Sequence, residues 1–238
     1  MALFPMFVDI SGRKCVVVGG GRVALRKVKT LLRYGGDVRV ISKEICPEIL
    51  ALLPGTSCLL MNRVEEGCSG SGLSPELETL IEESVLAVAA SGDRQLNHQV
   101  AVFCGSRGIP VNVIDAPEEC SFQFPSVVKR GEISVGINSG TNSPALTRLI
   151  RRKMEEDLPD YYGDLAEQLG ELKDRIKAAF PEEKKRREIL TTAAKEAFCR
   201  GRPLTEEELE DLVSPEKNAK TKAGGTGLRK SDIMNITD

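Results

Sequence analysis

The chain has 238 residues, 41% of them hydrophobic and 29% charged, with a net charge of −2, so it can hold one large domain or two to three small ones around a real core. That balance excludes the bulk basicity of a nucleic-acid binder and contains no block acidic enough for an acidic tail. No apolar run reaches the ~18 residues of a membrane helix, and the N-terminus lacks the charged and apolar regions of a signal peptide.

Residues 14–18 (KCVVV) predict a short buried strand. Over residues 22–34, Val23, Lys27, Leu31 and Leu32 fall at helical spacing, and Gly35-Gly36 ends that helix. "DVRVI" (37–41) predicts a second strand and "CLLMN" (58–62) a third. A Gly/Ser-rich surface loop (67–74) leads into a short helix over 75–83. "SVLAVAAS" (84–91) reads as a fourth strand, buried on both faces; a helix over 95–106 and "IPVNVI" (109–114) follow. Strands alternating with helices imply an α/β fold, a Rossmann-type doubly wound parallel sheet with right-handed crossovers over residues 1–114.

After Ile114 the pattern changes. Residues 121–140 read as strand-turn-strand, with Arg130-Gly131 at the turn. "SPALTRLIRRKMEEDL" (143–158) starts a helix with a Ser cap and Pro at the first helical position. Leu165, Leu169, Leu172, Ile176 and Phe180 mark another helix, stopped by Pro181. A further helix spans about 182–199, and Thr205 with Glu208 forms a capping box for a last one. The expected divisions are 1–114, a small α+β region over 115–160, a helical domain over 161–213 and a disordered tail over 214–238. The hairpin is too short to stand alone, so a dimer through 115–160 is expected, the hairpin pairing with its copy in a second chain.

Gly19, Gly21 and Ala24 fit G-x-G-x-x-A, directly after a strand and opening a helix. The first small residue permits the tight turn, the second lets a pyrophosphate approach, and the third lets helix pack on strand. Such a turn can also stand with nothing bound. The candidate cofactor residues are Gly19, Gly20, Gly21, Arg22 and Val23, with Ser42, Lys43 and Glu44 at the end of the second strand. An NAD enzyme usually has an acid there for the ribose 2′-OH. Ser42 accepts that hydrogen bond more weakly, Glu44 stands two residues late, and Lys43 tolerates a 2′-phosphate. Asp115 sits just past the carboxyl end of a parallel strand, where open α/β sheets place ligands, although Asp before Ala-Pro also starts turns.

Four stretches, "FPMFVDISGRKCVVVGGGRVALRK", "NVIDAP", "SFQFPS" and "GINSGTNSPALTRLIRRK", together resemble the precorrin-2 dehydrogenase/sirohydrochlorin ferrochelatase family, the amino-terminal module of sirohaem synthases. The resemblance runs from about Phe4 to the helices near 200. It implies an NAD-binding Rossmann domain, a dimerisation region and a small helical domain in an intertwined homodimer. It implies oxidation of precorrin-2 to sirohydrochlorin with NAD and, in some members, insertion of Fe²⁺ to give sirohaem. Asp115 corresponds to the family's catalytic residue; no methyltransferase domain of the fused synthases is expected, because the chain ends soon after the helical part. The resemblance puts Asn138, Ser139, Thr141 and Asn142 near the tetrapyrrole pocket, with Ser143 there or serving as a helix cap. Ser139 resembles a serine that family members phosphorylate.

Precorrin-2 carries several carboxylates, so a cationic surface is required near its pocket. Arg148 is the candidate, with Arg151, Arg152 and Lys153 on the same helix, though such a run also reads as a solvated face. With one histidine in the chain, His98, a zinc site built on histidines is excluded and a carboxylate is the natural base. Cysteines 15, 46, 58, 68, 104, 120 and 199 form no CxxC pair and read as reduced thiols of a cytoplasmic protein, expected to fill apolar space. An NAD-binding regulatory module without catalysis, or a dehydrogenase of an unrelated small substrate, uses the same glycine turn.

Overall fold

The computed structural model describes residues 3–53, 57–60, 72–140 and 143–214. The expected tail lies almost wholly outside the described residues, as do Thr141, Asn142 and most of the Gly/Ser-rich loop. The chain forms two compact units, Met1–Pro125 and Ser126–Asp238. No described helix is long and apolar enough to cross a membrane.

The first unit begins with β1 (Lys14–Val18), α1 (Arg22–Arg33), β2 (Asp37–Ser42), α2 (Pro47–Leu52) and β3 (Cys58–Leu60). It continues with α3 (Pro75–Glu82), β4 (Leu86–Ala89), α4 (Arg94–Arg107), β5 (Val111–Val113) and a 3₁₀ turn, Pro117–Glu119. Among the described residues the strands form a five-stranded sheet in the order β3-β2-β1-β4-β5, and every pairing is parallel. This is the doubly wound arrangement that the strand-helix alternation predicts.

Strand periodicity builds two cores. Cys15 and Val17 of β1 pack with Ala24, Val28 and Leu31 of α1, while Val16 and Val18 face Leu77 and Ile81 of α3 and Val100 and Phe103 of α4. Ala24, Val28 and Leu31 stand four and then three residues apart, one helical stripe. Burying side chains such as Val28 and Leu31 contributes roughly 1.5–3 kcal/mol each. α1 ends in a Schellman motif: Gly35, at φ 74°, donates to Leu32 O, and Gly36 donates to Leu31 O at 3.1 Å. Residues 115–125 pack with this unit, with Phe122 and Phe124 against the core on the α1 face. α2 escaped the sequence reading because six residues are too few to display a helical period.

The second unit holds an antiparallel hairpin, β6 (Ser126–Arg130) and β7 (Ile133–Ile137), then α5 (Pro144–Asp157), α6 (Tyr161–Ala179), α7 (Glu183–Arg200) and α8 (Glu206–Val213). The hairpin turn is Gly131-Glu132, one residue later than expected, because Arg130 still pairs with Ile133. Gly131 takes φ 53° and lies against Gly163, where a Cβ on either glycine would crowd the other's backbone. Leu172, Ile176, Ile189, Ala193, Ala197 and Leu209 form the helical core. Ser143 caps α5 by accepting from Leu146 N, and Thr205 and Glu208 make the reciprocal capping box of α8. Hydrogen bonds from Arg202 and from the Thr205 backbone hold the Glu208 carboxyl down to about 2.

Candidate nucleotide site at the carboxyl end of the sheet

The strand order reverses direction between β1 and β4, which opens a crevice at their carboxyl ends. The glycine turn lies there. Gly19 takes φ 127°, a conformation that side chains rarely adopt, and a Cβ on it would collide with Ala90 O beyond β4. A Cβ on Gly20 would collide with Glu44 O, and Gly20 O accepts Cys46 N–H at 2.9 Å. A Cβ on Gly21 would meet nothing within 4 Å. Three adjacent glycines therefore do three jobs: one turns the chain, one seats the 44–46 loop, and one leaves open space. Ala24 is fully buried between α1 and the sheet, as the third small position requires.

α1 begins at that open space without a side-chain cap and without an acidic residue in its first turn. Its first amide N–H groups have no intrahelical acceptor, so they and the positive end of the helix dipole face the crevice. That arrangement suits an anion. The exposed Arg22 adds a charge at the same end. Ser42 is the half-buried last residue of β2, and Lys43 and Glu44 are exposed beyond it. Gly19 N donates to Ile41 O at 2.8 Å, which ties the glycine turn to the strand end carrying Ser42. The donor set fits a dinucleotide: backbone N–H groups for the pyrophosphate and a hydroxyl for the ribose.

Asp115 follows β5 at the same end of the sheet, and Ile114 N donates to Ala89 O of β4 at 2.9 Å. Its φ is 55°, and among the described residues it is the one non-glycine with positive φ. Asp tolerates this left-handed region better than most residues, yet it remains uncommon. The side chain is exposed, and among the described residues its carboxylate has no hydrogen bond or ion pair. An Asx-turn would need the N–H two residues on, and that residue is Pro117, which has none. His98 pairs through Nδ1 with Glu119 Oε1 at 3.2 Å on the surface beside this turn.

The residues expected at the tetrapyrrole pocket lie in the second unit. Asn138 Oδ1 accepts Gly140 N–H at 2.5 Å. Ser139 Oγ lies 2.6 Å from Thr147 Oγ1 and bonds to Ser143 O at 3.1 Å. Arg148 is exposed and lies along α5, with Nε 3.4 Å from Pro144 O. Arg151 and Lys153 pair with Glu155 and Asp157 on their own helix, as a solvated face does.

The cysteines correct one expectation. Cys15 and Cys104 are buried fillers, their thiols pushed up by burial to about 11 and about 12. Cys199 is exposed, and Cys120 is a hydrogen-bonding group. The sequence reading also missed Asn97, a buried amide of α4 that accepts from Ser91 N and Ser91 Oγ and donates to Ser91 O. A lone Asn in a helix carries no periodic signal that would reveal it.

A family model described as putative NAD(P)-binding matches residues 6–126. A siroheme synthase of Nitrosospira multiformis is 40% identical over 187 residues, 79% of this chain and 38% of that protein. One from Thioalkalivibrio sulfidiphilus is 37% identical over 206 residues, 85% of this chain and 40% of that protein. The chain thus spans about two fifths of the length of these relatives. A solved structure named SirC, precorrin-2 dehydrogenase, superposes with a TM-score of 0.64 over 92% of this chain and 96% of that one, at 21% identity, which establishes the shared fold.

Proposed function

The chain belongs to the putative NAD(P)-binding family, and from that premise we propose that it is an NAD-dependent precorrin-2 dehydrogenase of sirohaem biosynthesis, with Asp115 as the general base. One observation carries the reading: a carboxylate at φ 55°, without a partner among the described residues, stands at the same end of the sheet as the open glycine turn. β4 alone separates their strands, a span of two strand spacings, about 10 Å. Strained, exposed, unpartnered groups of this kind cluster at functional sites. The siroheme synthase relatives and the fold of the dehydrogenase support the substrate class.

Oxidation of precorrin-2 to sirohydrochlorin removes a hydride and a proton, and bound NAD supplies the hydride acceptor. The first-turn N–H groups of α1 would hold the pyrophosphate of NAD, and the open space at Gly21 would admit it. Ser42, Lys43 and Glu44 at the end of β2 would hold the ribose. Asp115 takes the proton, and its carboxylate is available because nothing in the described chain neutralises it. Fe²⁺ enters the proposal as a second substrate, since a carboxylate oxygen suits that ion and the same group can remove pyrrole protons. Asn138, Ser139, Thr141, Asn142 and Arg148 are proposed to bind tetrapyrrole.

We also propose a homodimer. α5 has no buried residue and exposes Leu146 and Leu149 at 50% and 61%, an apolar stripe that a second chain would cover. Light scattering at micromolar concentration is expected to read twice the 25.9 kDa chain mass; a monomer overturns the dimer. The free thiols of the six described cysteines support a cytoplasmic setting.

The test is to mix the protein with precorrin-2 and NAD and follow the tetrapyrrole absorption, with and without Fe²⁺. Wild type is expected to form sirohydrochlorin, and the Fe²⁺ arm reads the chelatase step separately. Asp115→Asn keeps the side chain's size and removes the proton acceptor, so its rate is expected to fall about 10²- to 10⁴-fold while NAD binding survives. An unchanged tetrapyrrole spectrum with NAD present overturns the function.

A further inference from the structure

We infer that Cys120 is the positioning residue for Asp115: its sulfur clamps the backbone on both sides of that aspartate. The inference rests on the reading of Asp115 as the base.

Among the described residues β5 is an edge strand, with β4 on one side. The outward N–H and C=O groups of Val111 and Val113 must find partners elsewhere. The chain returns along that edge over residues 120–122 and meets them with a mixed set of groups. Val111 N donates to Ser121 Oγ at 2.7 Å, and Ser121 N donates to Val111 O at 2.9 Å. Asn112 Nδ2 donates to Phe122 O at 3.1 Å. At Val113 the partner is the Cys120 thiol. Its Sγ accepts Val113 N–H at 3.1 Å and lies 3.2 Å from Val113 O and 3.4 Å from Ala116 O. One thiol proton serves those two carbonyls alternately, while the sulfur lone pairs take the amide and, at 3.6 Å, Asn112 Nδ2.

The sulfur thus reaches the residue two before Asp115 and the residue one after it. A non-glycine residue at φ 55° persists only where its surroundings over-determine it. Other restraints on the stretch include the Ile114 N–H bond to Ala89 O, the buried Val113 and Ala116 side chains, and Glu119 N donating to Ala116 O at 3.1 Å. None of these pairs the outward N–H of Val113, which Cys120 Sγ accepts. Without the thiol, the buried Val113 N–H loses its partner and the stretch from Val113 to Ala116 can relax toward an unstrained φ, moving the carboxylate from its place at the carboxyl end of the sheet. A misplacement of about 1 Å costs on the order of 10²-fold in rate.

The experiment measures kcat, KM for NAD and amide hydrogen exchange for Cys120→Ala, Cys120→Ser, Asp115→Asn and the double variant Cys120→Ala/Asp115→Asn. Cys120→Ala is expected to lower kcat about ten- to a hundredfold with KM for NAD nearly unchanged, and to speed exchange at Val113. Cys120→Ser, which keeps a donor and an acceptor, is expected to restore kcat to within about threefold of wild type. In the Asp115→Asn background the cysteine change is expected to cost nothing further, because it acts through that carboxylate. Cys120→Val fills the space without a hydrogen-bonding group and carries the same expectation if the alanine variant fails to fold. Full kcat in Cys120→Ala beside a crippled Asp115→Asn overturns the positioning role and leaves the base intact. Equal losses in both backgrounds also overturn it, showing a general structural role. A near wild-type rate in Asp115→Asn alone overturns the base, and the inference falls with it.

Discussion

α1 and α4 start after neighbouring strands at the same end of one parallel sheet, α1 at Arg22 beyond β1 and α4 at Arg94 beyond β4. Both carry the first-turn amides that every helix leaves without intrahelical acceptors. α4 satisfies two of them internally: Asp93 Oδ1 accepts from Gln95 N at 2.9 Å and Leu96 N at 3.2 Å, and Ser91 and Asn97 brace the loop that presents it. α1 satisfies none of them by a side chain, and its cap position is a glycine whose missing Cβ leaves open space. α3, α5 and α8 are capped by Ser74, Ser143 and Thr205, whereas α2, α6 and α7 lack a side-chain cap as α1 does. What sets the α1 end apart from the α4 end is the glycine turn at the crevice, where a side-chain acceptor would compete with a phosphate for the same N–H groups.

The contrast can be broken from either side. Gly21→Leu fits the backbone, since φ −88° and ψ −172° are ordinary for any residue. Its side chain would occupy the space proposed for the pyrophosphate, so calorimetry is expected to show NAD affinity at least about tenfold weaker, roughly 1.4 kcal/mol. Unchanged affinity in a folded variant would remove the glycine turn from the site. The smaller effect comes from the other helix. Asp93→Ala removes a cap that serves folding, so denaturant unfolding is expected to show about 1 kcal/mol of lost stability with NAD affinity preserved. Should Asp93→Ala weaken NAD binding as much as Gly21→Leu does, the two helix ends are not functionally distinct.

Much of the first unit was legible because local chemistry and global fold agree there. β1 is a run of β-branched residues, as a strand buried on both faces needs, and α1 shows its buried stripe at helical spacing. The Thr205/Glu208 box and the Ser143 cap were readable because capping is a contract between residues three apart. α2 and the turn at Gly131-Glu132 were misread or missed, since six residues cannot show a period and a hairpin's turn depends on which residues pair across it.

The sequence by itself singled out the candidate positions: the small residues 19, 21 and 24 after a strand, and an Asp after the fifth strand. Only the tertiary structure decided what each does. Gly20 is required because the 44–46 loop returns onto it, and Gly19 because Ala90 arrives from β4. Asp115 stands at φ 55° because Ala89 on one side and Cys120 on the other hold the chain around it. Glu44, Ala89 and Ala90 lie 24 to 71 positions from the residues they meet, and Cys120, five from Asp115, reaches it across a turn that is not α-helical. Periodicity and capping rules read neighbours within one or two turns of helix, whereas a clash or a thiol clamp exists only once the sheet has brought distant segments together.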